Sequence, residues 1–223
     1  MTTLPTWSEG HLCRLKQPTD CPSCGEVLRG NRLQEAPVSL PSPFTDGHKS
    51  SCCLLVAPAH NNPGREFDGT SDLHTGISNT KGVVYNYTRG GVLRDQSGWE
   101  RCVSVPLVRP DMFHLLAQWD QYLDHFSDGS MWDPAWHRFD EEHQNCFTYC
   151  LHFINSVLAT EGRSSLSRET FTHSFILPRM RRVSKYTTLY DHIQRHQYYM
   201  VDRQEDRQED KQTCLSDITV TAL

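Results

Sequence analysis

The sequence predicts an α+β domain behind a cysteine-rich amino-terminal arm, and three observations predict it. Runs rich in β-branched and aromatic residues cluster between residue 54 and about residue 109. From Asp111 the apolar residues recur at three- and four-residue steps instead. Five of the nine cysteines fall within residues 1 to about 53, beside a Pro/Ser-rich stretch that suits neither helix nor strand.

In the β region, "SCCLLVA", "GVVYNY" and "RCVSVPLV" are bounded by Gly, Asn and Asp clusters and read as strands, with a further strand-like run around His74. Met112, Phe113, Leu116, Trp119, Leu123 and Phe126 then mark a first helix, with Pro110 placed to open it. "SDGSMWDPAWHRFDEEHQ" reads as a loop. A second helix carries Cys146, Tyr149, Cys150, Phe153, Ile154, Val157 and Leu158 on one side, and Gly162 is placed to end it. "TLYDHIQRHQYYMV" predicts a last helix, and "RMRRVSKY" a solvated connection before it. The tail from about Asp202 repeats DRQE with almost no apolar content and is expected to be disordered. The organisation is therefore an arm and linker over 1–53, a folded domain over 54–201 and a charged tail over 202–223.

With 37% hydrophobic residues, five Trp, eight Tyr and nine Phe, the chain can bury a substantial core. A net charge of -5 of mixed sign does not mark a nucleic-acid or membrane-surface binder. The polar start "MTTLPTWSEGHLC" lacks the features of a secretory signal, and no apolar run approaches the roughly 20 residues that span a bilayer. An odd number of cysteines without a signal argues for reduced thiols, metal ligands or a reactive thiol. A cytoplasmic or nuclear location is the expectation.

"CPSCG" is a Cys-x2-Cys knuckle, and "HKSSC" follows as a His-x3-Cys pair. Tetrahedral zinc takes four N/S ligands, commonly as two such pairs, so Cys21, Cys24, His48 and Cys52 predict a closed structural Zn2+ site. Cys13, Cys53 and His11 compete for the same role. A segment this short buries little apolar surface alone, and a metal would explain its folding.

Thiol catalysis needs an ionised cysteine, a base, and a polar group that orients the imidazole. Cys146 opens its helix directly after Asn145, a favoured N-cap residue. A thiol there faces unpaired N–H groups and the positive end of the helix dipole, which lowers its pKa. His74 lies in a strand whose next same-face residue, Gly76, is expected to keep that face open. After the "NTKG" turn, Asn86 returns on the neighbouring strand, where it can lie opposite His74 and accept from its ring N–H.

"HTGI", a turn, "VVYN" and later "NC" opening a helix resemble, in this order, the circularly permuted papain-like fold. That group includes lecithin:retinol acyltransferase-like enzymes and PPPDE deubiquitinating or deSUMOylating peptidases. The resemblance spans roughly residues 54 to 200 and implies an antiparallel sheet presenting His74 to Cys146 at the start of a packed helix. Two positions differ. Asn86 stands where acyltransferase-like members carry a second His, although Asn orients the imidazole in ordinary papain-like proteases; Ser78 stands where an aromatic is frequent. Over nearly the whole chain, "CPSCGE", "EAPVS", "PFTDGH", "SDLHTGISNT", "GVVYNY" and "NC" are similar to the makorin-2 opposite-strand protein family, a resemblance that implies no particular activity.

The reaction implied is cleavage or transfer at an amide, isopeptide or ester of a protein or peptide substrate. Cys146 would be the nucleophile, His74 base and then acid, Asn86 the orienter, and Asn145 the residue shaping the helix start. The contrasting expectation is an inactive papain-like fold serving as a protein-interaction module. The terminal "VTAL" matches the pattern that adds as a strand to PDZ domains, an ending common by chance.

Overall fold

The computed structural model describes residues 41–59, 67 and 72–196; the knuckle cysteines Cys21 and Cys24, the expected end of the last helix and the charged tail lie outside them. Five strands form one antiparallel sheet: β1 (Cys53–Pro58), β2 (Leu73–Ser78), β3 (Val84–Thr88), β4 (Gly91–Asp95) and β5 (Val103–Pro106), in the order β4-β3-β2-β1-β5. Four helices follow: α1 (Phe113–Ser127), α2 (Cys146–Thr160), α3 (Arg168–Phe171) and α4 (Leu177–His196). The architecture is α+β, as the change of apolar period from two to three-and-four implies. Among the described residues no helix is long and apolar enough to cross a membrane.

Alternation along the strands sorts the core into two layers. Leu54, Val56, Ile77, Tyr85, Tyr87, Val103 and Val105 face the helices and join Leu115, Trp119, Leu123, Tyr149, Phe153 and Ile154. Leu55, Ala57 and Val84 face the opposite way and are covered by Trp99 and Cys102. A short 3-10 turn, Gly47–Lys49, closes this second layer from the arm side. There Thr45 pairs with Cys102, and the Gly47 N–H donates to the Trp99 carbonyl at 2.8 Å.

Several elements differ from the sequence reading. In α1 the buried stripe is Leu115, Trp119, Leu123 and Ser127, at four-residue steps, and Phe113 is 75% exposed. Neither spacing nor composition announced β4. "RMRRVSKY" is not a connection, because α4 runs through it. This helix begins well before Thr188, continuous with α3 through a π turn at Thr172–Ile176. Pro178 supplies a physical reason. It has no N–H for the Ser174 carbonyl and its ring crowds that carbonyl, and a widened turn absorbs both. The Arg179 guanidinium lies 3.5 Å from the freed oxygen. By contrast α2 ends where Gly162 suggests. Gly162 adopts φ +67°, the Arg163 N–H donates to Leu158 O and the Gly162 N–H to Ala159 O, a Schellman closure.

Candidate thiol site at the start of α2

β2 and β3 are paired only at Ile77–Tyr85 and Ser78–Val84; beyond Ile77 the ladder stops. The Asn79 N–H donates to Val83 O, so at two-residue steps along β2 the N–H groups of Ile77 and Thr75 also point toward β3. With β3 no longer paired there, the Thr75 N–H needs another acceptor. Cys146, the first residue of α2, faces this stretch, and the His74 imidazole and the Thr75 backbone N–H both favour its ionised form.

Asn145 sets the sulfur in that position. Its Oδ1 accepts from the Thr148 N–H at 2.9 Å, capping α2, while its Nδ2 donates to Glu141 O at 2.6 Å. Cys146 is therefore the first helical residue, 9% exposed. Burial pushes its thiol pKa up, but the hydrogen bond and charge of His74 and the donors of Thr75 outweigh burial and hold it below the ordinary thiol value. His74 moves the opposite way. Burial lowers its pKa, and Cys146, Asn86 and Asp95 together raise it above the usual imidazole value. Each group's shift favours the charged form of the other.

The imidazole is held from behind. His74 Nε2 lies 2.8 Å from Asn86 Oδ1, and Asn86 Nδ2 donates to Asp95 Oδ2 at 2.8 Å. The same carboxylate oxygen accepts from the Trp99 indole N–H at 3.1 Å, and the Trp99 and His74 rings lie 5.6 Å apart. Continuing the β2–β3 register would set Asn86 opposite Gly76 rather than His74, so the two side chains meet diagonally. Gly76 does not open the face for a substrate. A Cβ there would lie 2.8 Å from Val84 Cγ1 and 3.0 Å from Trp99 Cη2, so its missing side chain admits Trp99. Beside that ring, Ala57, Pro58, His74, Trp99, Glu100 and Arg101 line a pocket of about 90 Å³.

Other cysteines are set apart by their surroundings. Cys150, one turn along α2, is fully buried and its thiol is pushed far up. Burial raises Cys102 to about 12 and Cys53 to about 11. Thr75, Asp95 and Trp99 escaped the sequence reading. Thr75 Oγ1 is buried and has no hydrogen-bond partner in the resting arrangement, and the thiols of Cys146 and Cys150 stand within its reach. Its place directly after His74 was the available signal. Ser78 is structural: its hydroxyl donates to Ser50 O and accepts from the Cys53 N–H.

The expected zinc set is not assembled among the described residues, where no group of three or more His, Cys, Asp or Glu is arranged to hold a metal ion. His48 contacts backbone groups on both sides of its ring. Its Nδ1 donates to Gly82 O at 2.8 Å, which leaves Nε2 as the acceptor for the Trp99 N–H at 3.3 Å. Cys52 is buried near Asp120, whose charge together with burial raises its thiol pKa to about 12. With Cys21 and Cys24 outside the described residues, the four-ligand set stays a proposal.

No solved structure matches the chain. It is 45% identical over 194 residues to the MKRN2 opposite strand protein of Homo sapiens, across 87% of this chain and 86% of that relative. The family model described as DUF4796 C-terminal matches residues 37–193, from just before the 3-10 turn that closes the sheet to near the end of α4. Both the sheet and the helix carrying Cys146 lie within that span, and the chain belongs to the DUF4796 family.

Proposed function

We propose that the domain is a permuted papain-like thiol hydrolase or acyl/peptidyl transferase acting on an amide, isopeptide or ester. The observation that carries this reading is the meeting of the Cys146 sulfur, the His74 imidazole and the Asn86 amide. In the reaction the Cys146 thiolate attacks the carbonyl carbon and forms a C–S bond. His74 gives its proton to the departing nitrogen or oxygen as that bond breaks. Water, or an acceptor amine or alcohol, then attacks the thioester; His74 takes its proton, and the thiolate leaves. The developing oxyanion would face the unpaired N–H groups of the first turn of α2.

An electrophilic thiol probe tests the reading. Cys146 is expected to label selectively at pH 7, at least about tenfold faster than Cys102 or Cys150, because only the thiolate reacts. His74→Ala should remove that selectivity. Labelling of Cys146 at the rate of the other two thiols would sink the proposal.

The pH profile has a fixed sign. As pH falls through the lowered Cys146 pKa, the sulfur gains a proton, and both reactivity and the pair's contribution to stability are lost. As pH rises through the raised His74 pKa, the imidazolium loses its proton and the thiolate loses its counter-charge. The pair's contribution is therefore lost toward acid through Cys146 and toward alkali through His74.

A second reading, an inactive fold that binds protein partners, is favoured by the near-complete burial of Cys146 and by the small size of the adjoining pocket. Slow labelling together with an unshifted thiol titration would select it. Zinc binding through Cys21, Cys24, His48 and Cys52 is a separate proposal for the arm.

A further inference from the structure

We propose that Asp95 is a positioning residue for the Cys146–His74 pair: by holding the Asn86 amide in one orientation, it dictates which imidazole nitrogen faces the thiol. The inference rests on the thiol-chemistry reading above and assigns a role to a side chain that touches neither the sulfur nor a substrate.

The argument follows from what each group can donate or accept. The Asp95 carboxylate accepts only, so the Asn86 amide must turn its NH2 toward it, and Nδ2 lies 2.8 Å from Asp95 Oδ2. The amide oxygen is then left for His74. That oxygen also accepts only, so His74 Nε2, 2.8 Å away, must carry a hydrogen. Nδ1 remains for Cys146, with a lone pair in the neutral ring and a proton in the imidazolium. A His–Cys pair needs this arrangement if the ring is to take and return the thiol proton.

The carboxylate is itself immobilised. Asp95 ends β4 opposite Val84, and the Trp99 indole N–H donates to the same Oδ2 at 3.1 Å. Trp99 is buried over Gly76, where a Cβ would come within 3.0 Å of its ring, and lies 5.6 Å from the imidazole. One tryptophan thus covers His74 and anchors the group that orients it.

Without the carboxylate the constraint disappears. An amide is nearly symmetric in shape, so Asn86 could turn its NH2 toward Nε2. The proton would then sit on Nδ1 in the neutral ring, facing the sulfur with no lone pair to receive the thiol proton. The titratable groups bearing on this corner are few. Cys146 and Asp95 act on His74, His74 acts on Cys146, and Cys150 lies one turn behind. Glu100 and Arg101 share the pocket wall with His74.

The test is the pH profile of Cys146 alkylation by iodoacetamide in the full chain, read by mass spectrometry, for the unaltered protein and for Asp95→Leu, which removes the acceptor. The unaltered protein should show an inflection below the ordinary thiol value of about 8.5. Asp95→Leu should move it up by at least one pH unit and slow alkylation at pH 7 about tenfold. A variant with the unaltered profile overturns the positioning role and leaves the thiol reading standing. An ordinary inflection in the unaltered protein overturns the thiol reading itself.

Should Asp95→Leu fail to fold, nitrogen-15 shifts of the His74 ring provide a second measurement. They would be recorded on unaltered protein after Cys146 is alkylated, at a pH where the ring is neutral. A hydrogen on Nε2 is the expected result; a hydrogen on Nδ1 overturns the proposal.

Discussion

Twelve residues separate His74 from Asn86 along the chain, and one 2.8 Å hydrogen bond joins them. The sequence suggested that these two residues could meet, because a strand, a turn and a returning strand bring such positions together. It did not reveal their diagonal offset, since a register depends on which ladder bonds form. Nor did it reveal Asp95 and Trp99, which lie in an unpredicted strand and the loop after it. Gly76 is the clearest reversal, a vacancy for a tryptophan rather than for a substrate. Gly76→Ala should therefore destabilise the fold by about 1–3 kcal/mol, because the added methyl meets Val84, Trp99 and the Tyr85 carbonyl within 3.1 Å. Chemical denaturation measures it, and a loss below about 0.5 kcal/mol would mean that the indole relaxes freely.

At the scale of elements, α2 was legible because each of its signals is local. Asn145 caps it, its apolar side repeats with helical period, and Gly162 takes the left-handed conformation that closes it. α4 was read too short because "RMRRVSKY" is basic and suits a solvated connection, whereas a π turn just before Pro178 lets the helix run through it. The Asn145 cap also places the candidate nucleophile, so its removal should be felt twice. Asn145→Ala is expected to cost about 1 kcal/mol of stability. It should also slow Cys146 alkylation at neutral pH, because losing the bonds to Thr148 N and Glu141 O frees the first turn to shift. A thermal-unfolding series beside the alkylation rates checks both. Lost stability with an unchanged rate would make the cap purely structural.

Across the whole molecule, the sheet separates a helix-covered core from a smaller layer closed by the arm-side turn and Trp99. His48 locks that closure by satisfying the Gly82 carbonyl and the Trp99 N–H together. His48→Ala should cost about 1–3 kcal/mol for the buried groups left unpaired, and leave the zinc content of the full chain unchanged. Metal analysis beside denaturation decides between the roles. A variant that keeps its stability but loses stoichiometric zinc would make His48 a ligand rather than a clamp.

Local patterning alone determined the α+β class, the approximate strands, the helix carrying Cys146 and its cap. These depend on period, capping chemistry and turn residues, all encoded over a few positions. Tertiary structure alone decided that β2 and β3 part beyond Ile77, where Thr75 and His74 favour the ionised form of Cys146. It also directed His48 to the backbone of Gly82 and Trp99, and backed Asn86 with Asp95. The physical reason is the same in each case. A hydrogen-bonding group takes the partner that folding leaves within reach, and that choice depends on residues far away in the chain.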